Sequence, residues 1–156
     1  MVTFDISKII KGIISGFVAT VALTLLMILK KTMGVMPALD PVHMLADMAA
    51  QNIGIEPNLA IGWVMHFVIG SIAWGGAFAV LNELLPSQSQ IVKGIILGIA
   101  AWLLMMIGPM PMSGAGLFGL KIGLMAPVMT LVFHLVFGVV LGATYKTLVK
   151  NGPGDT

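Results

Sequence analysis

Four long apolar runs, separated by shorter polar stretches, set the pattern of this chain. Ile9 to Leu29 is apolar throughout and lies between Lys8/Lys11 and Lys30/Lys31. Leu59 to Leu81 forms a second run, ended by Asn82, Glu83 and Pro86. Ile91 to Ile107 forms a third, broken by Gly108-Pro109, and Leu124 to Tyr145 a fourth, closed by Lys146 and Lys150. A helix rises about 1.5 Å per residue and a membrane span takes about 17–25 residues, so each run is long enough to cross, the third at the short end of that range. Pro127 falls in the first turn of the fourth helix, where proline is tolerated. The first run also has the flanks of a cleaved signal peptide, but it is longer than a signal core, and its opening motif returns later in the chain.

The polar stretches predict the connections. Between Thr32 and Asn58, Asp40-Pro41 reads as an N-cap with proline at the first helical position, and Gly54 as the C-terminal stop. Between them Met44, Leu45 and Met48 share one face, with His43 and Asp47 on another. The spacing predicts an amphipathic helix over residues 41–53, in the membrane interface or over the mouth of the bundle. Ser87 to Gln90 is a tight turn that makes the second and third helices antiparallel neighbours. Met110 to Gly123 is glycine-rich, and NGPGDT reads as a frayed tail.

The second half echoes the first. KGIISG at Lys11–Gly16 returns as KGIILG at Lys93–Gly98, Met36-Pro37 as Met110-Pro111, and His66-x-x-x-Gly70 as His134-x-x-x-Gly138. The order is kept while the offset shrinks from 82 to 74 to 68 residues. The chain therefore reads as one membrane domain over residues 1–156: an all-α, integral membrane four-helix bundle built from two transmembrane hairpins repeated in parallel, with a short interfacial helix in the first outer loop. Gly12/Gly16, Gly94/Gly98 and Gly138/Gly142 are small-xxx-small pairs that let helices approach closely in lipid. Lys8, Lys11, Lys93, Lys146 and Lys150 lie on the side of the termini and Lys30, Lys31 and Lys121 on the other, which places both termini in the cytoplasm.

Composition narrows the chemistry. Of 156 residues 58% are hydrophobic and 9% charged, too few charges to cover a soluble domain, so the lipid bilayer is the expected solvent. The chain has no cysteine, which removes disulfides, thiolate ligands and a cysteine nucleophile. The net charge of +2 is too small and dispersed for nucleic acid. No Asp, Glu or Lys falls mid-span, against an ion-coupled transporter. No nucleophile–base pair or phosphate loop supports a hydrolase or transferase.

Three functional readings remain. The first is a non-enzymatic accessory or scaffold subunit of a larger membrane complex of respiratory or oxidase type, with other membrane subunits or further copies of the chain as partners. The second is a haem b electron-transfer protein. Neighbouring helix axes about 10 Å apart give a diagonal of roughly 14 Å, across which His66 and His134 could hold an iron. Gly70 and Gly138 would then let a porphyrin lie against the backbone. The absence of arginine leaves only lysines, backbone and water for the propionates, and buried histidines also serve simply to join helices. The third is an outer-face copper site built from His43, Met44, Met48, Met110 and Met112, since thioethers suit Cu(I); methionine is equally an adaptable packing residue.

GFVATVALTLLM, WVMHFVIG and above all MPMSGAGLFGLKIGLMAPVMTLVFH resemble a group of small bacterial inner-membrane proteins known only as a domain of unknown function. The resemblance covers roughly residues 12 to 145 and implies four membrane helices and a bacterial inner-membrane location. It brings no activity, and so no catalytic residue, and it draws attention to the Met110–Lys121 loop, whose glycines permit a re-entrant or tightly folded cap.

Overall fold

The computed structural model describes residues 5–150, so Met1–Phe4 and the NGPGDT tail lie outside the described residues. Helix α1 spans Ile6–Thr32, α2 Pro41–Ile53, α3 Leu59–Leu81, α4 Gln90–Ile107 and α5 Ala126–Lys150. Four of them, α1, α3, α5 and α4 with its one-turn extension at Pro109–Met112, are long and apolar enough to cross a membrane. Observed limits outrun the expected ones in α1 and at the end of α5. Polar and lysine-bearing turns continue a helix whose core is already formed, so composition marks the span and not the helix end.

The helices start and stop where local chemistry dictates. The Asp5 carboxylate accepts from Ser7 N at 2.9 Å, and Asp40, Asn58 and Ser89 cap α2, α3 and α4 in the same way. Helix α2 ends at Gly54, whose φ of 74° is left-handed.

Helix α1 is the centre of the bundle. Its buried positions include Gly12, Ser15, Gly16, Ala19 and Thr20, a stripe of small residues. It packs on α3 along one flank and on α5 along another, while α5 packs on α4. At the first contact a Cβ on Gly12 or Gly16 would strike the backbone of Gly75 or Gly70. At the α4–α5 contact, one on Gly94 or Gly98 would strike the carbonyl of Gly138 or His134. Buried hydroxyls here bond within their own helix: Thr20 Oγ1 donates to Gly16 O at 2.7 Å and Thr130 Oγ1 to Ala126 O at 2.8 Å.

Helix α3 is continuous but carries a π-helical stretch over Ile69–Gly75. This wider turn brings Gly70, Ser71 and Gly75 all against α1. Ser71 Oγ is the one buried side-chain polar atom without a hydrogen-bond partner among the described residues.

The expectation that α3 and α4 lie side by side holds only at their joined ends. Lys93 Nζ donates there to the Asn82 carbonyl, and Asn82 and Gln90 exchange two amide hydrogen bonds. Beyond that clamp the two helices have no extended packing with each other. A short loop fixes where two helices meet, not that they stay together. The packing surface of each is already committed, α3 to α1 and α4 to α5.

The glycine-rich loop is a folded cap. Gly114, Gly116, Gly119 and Gly123 all take positive φ, and so does Phe118 at 56°, held by an edge contact with Trp102. The loop's Ala115 joins Leu39, Met106 and Met110 in a buried cluster.

Candidate functional site

A cavity of about 340 Å³ occupies the middle of the bundle. All four long helices and α2 line it, and its walls are almost wholly apolar. Leu23 and Met27 come from α1, Trp74 from α3, Met105 from α4, and Phe133 and Phe137 from α5. On the side of the chain termini, Phe78, Leu97, Leu141 and Tyr145 pack into a solid core that forms its floor. At the other end α2 lies over it. The Val42 carbonyl and Ala46 Cβ of α2 sit against Gly62 of α3, which turns Met44, Leu45 and Met48 into the cavity. Ala73 of α3 and Leu104 of α4 both line the cavity and are both exposed, so the gap between these helices is its side opening.

His66 and His134 line the same cavity. Their hydrogen bonds assign their protons, because a neutral imidazole carries a single N–H. His134 Nδ1 lies 2.8 Å from the Thr130 carbonyl, which can only accept, so Nδ1 carries the proton and Nε2 keeps its lone pair. His66 Nε2 lies 3.1 Å from Thr24 Oγ1. The Thr24 hydroxyl is also placed to donate to Thr20 O at 2.8 Å; in that arrangement it accepts from His66 Nε2–H, and Nδ1 carries the lone pair. Trp63 and Phe67 present ring edges to His66, which is 8% exposed. The four-residue spacing to each glycine was legible in the sequence; the threonine partners, on another helix or one turn back, were not singled out.

The two histidines stand at different heights relative to the crossings of their own hairpins. Gly98 meets the His134 carbonyl, whereas Gly16 meets Gly70, four residues beyond His66. His66 is therefore displaced from its crossing by one turn, about 6 Å, towards α2.

Gly70 and Gly138 both sit at close helix contacts. A Cβ on Gly70 would strike the Thr20 side chain, and one on Gly138 the Gly94 backbone. Both glycines serve helix packing and His66 Nε2 is engaged with Thr24, while His66, Gly70 and His134 all line the one cavity. The residues considered for copper divide into two groups. His43 faces outward and its Nδ1 lies 2.8 Å from Asp40 Oδ2. Met44, Met48 and Met110 all line the cavity, Met110 also packing against Gly119, and Met112 is 60% exposed. Among the described residues no group of three or more His, Cys, Asp or Glu side chains gathers round one point.

No curated protein and no solved structure matches the chain. Residues 6–154 match a family described as Family of unknown function (DUF6789). With a match over nearly its whole length, four spanning-length helices and a capped central cavity, the chain belongs to the DUF6789 family of unknown function.

Proposed function

We propose that this chain is a non-enzymatic protein of the bacterial inner membrane that holds a lipid-soluble molecule in its central cavity, as an accessory subunit of a larger membrane complex. The observation that carries this reading is the apolar cavity, floored by a packed core, covered by α2 and open sideways between α3 and α4. Concave, largely apolar pockets of several hundred Å³ are the usual shape of small-molecule sites. A sideways opening between spanning helices suits a guest that arrives through lipid.

Two structural proposals accompany it. The hairpins α1–α3 and α4–α5 are copies of one unit, supported by the paired glycine crossings, with the π-helical stretch of α3 as the main departure. Helix α2 sits at the outer membrane interface, supported by its exposed His43 and Asp47 and its cavity-facing methionines.

The test is solvent extraction and mass spectrometry of the protein purified in mild detergent, beside Ala73→Phe, which fills the opening. A compound enriched over bulk lipid in the wild type and depleted in a folded Ala73→Phe is the expected result. Extracts that match bulk lipid in both proteins overturn the reading. An absorption spectrum of the same sample decides the haem alternative: a Soret band lost in both His66→Ala and His134→Ala makes the protein a cytochrome.

A further inference from the structure

The cavity is apolar except at a few points: the imidazoles of His66 and His134, the indole of Trp74, and the hydroxyls of Thr20 and Thr130, which donate within their own helices. We infer that its guest is a lipid-soluble aromatic alcohol, a phenol or hydroquinone whose hydroxyl donates to His134 Nε2. This rests on the proposed cavity function and adds the chemistry of the guest.

The argument runs from the protons. The Thr130 carbonyl fixes the His134 proton on Nδ1, and Nε2 has no hydrogen-bond partner among the described residues. A ring nitrogen with a lone pair on a cavity wall accepts, so it selects a donor. His66 lines the same cavity with its Nε2 turned to Thr24. An ether, an ester or a quinone carbonyl offers His134 Nε2 no donor; a hydroxyl does. The rest of the wall suits a flat ring with an apolar tail: Trp74, Phe133 and Phe137 supply aromatic faces and edges. The tail has a way out through the gap marked by Ala73 and Leu104.

The histidines also lie apart from any acid that could change this assignment. Thr20, Thr24, Thr130 and the indoles of Trp63 and Trp74 are near them, and among the described residues no Asp, Glu or Lys lines the cavity.

The experiment uses the full chain in detergent, under anaerobic conditions, with an alkyl hydroquinone, its dimethyl ether and the matching quinone as probes. Trp74 lies in the cavity wall, so quenching of tryptophan fluorescence reports occupancy. The wild type is expected to bind the hydroquinone roughly three- to tenfold more tightly than the ether or the quinone, the range for one net neutral hydrogen bond. His134→Phe, which keeps a ring of similar size, is expected to lose that preference while still binding the ether, which also shows that the variant is folded. Equal affinity for all three probes in the wild type, or an undiminished preference in His134→Phe, overturns the inference and leaves the cavity function standing. Failure of every probe to bind overturns both.

Discussion

Lys30 and Lys93 are cations turned inward. Lys30 Nζ donates to the carbonyls of Met36 and Leu39 and ties the end of α1 to the following loop, while Lys93 holds the Asn82 carbonyl across the α3–α4 turn. Both looked in sequence like markers of membrane orientation; the structure uses both as clamps, Lys30 on carbonyls of the loop after α1 and Lys93 on the carbonyl at the end of α3. Asp40 is the acid that governs the cap. Burial raises its carboxyl pKa, but the backbone N–H and imidazole of His43, with Lys31 beyond them, outweigh burial and hold it below the ordinary value. A carboxyl depressed on folding stabilises above its unfolded pKa, and that stabilisation is lost as pH falls through the folded value. Hydrogen exchange of the α2 amides should therefore accelerate on acidification below the carboxylate range. In Asp40→Asn the acceleration should vanish. An acid response that persists unchanged in Asp40→Asn would place the titrating group elsewhere.

At the scale of elements, glycine decides which helices touch. Gly94 and Gly138 each face the other's backbone, and Gly12 faces Gly75, so these contacts are backbone to backbone. No flexible side chain can give way there. Gly94→Val should cost about 1–3 kcal/mol, the range for overpacking, read as a lower midpoint for unfolding in denaturing detergent. Gly76→Ala is the matched control, since nothing lies within 4 Å of its Cβ position. Equal midpoints for both variants would contradict the close crossing. The small-xxx-small pairs of α1, α4 and α5 were visible in the sequence. The π-helical stretch was not, because Ile69–Gly75 reads as an ordinary apolar run; the wider turn is recognisable only from which residues face α1.

At the scale of the whole molecule, α1 is sandwiched and the α3–α4 side is left open. The absence of cysteine makes orientation directly measurable, because any introduced thiol is the only one. Ser87→Cys lies in the α3–α4 turn and Asp47→Cys on the exposed face of α2, at opposite ends of the bundle. The lysine distribution predicts both termini in the cytoplasm; on that orientation a membrane-impermeant maleimide should label Asp47→Cys in cells with a permeabilised outer membrane. It should reach Ser87→Cys only after the inner membrane is broken. The opposite pattern inverts the orientation.

The spans, the cap of α2 at Asp40-Pro41, its stop at Gly54 and the break at Gly108-Pro109 were all determined by the sequence. Each depends on hydrophobic length or on local backbone chemistry carried by neighbouring residues. The site was legible only as a pair of histidines. That they line one cavity, that Thr24 and Thr130 bond their ring nitrogens, and that Gly70 and Gly138 serve packing were decided by tertiary structure. Those facts turn on which faces meet between helices distant in sequence. In lipid that choice follows from close packing of small residues rather than from hydrophobicity, which is nearly the same on every face.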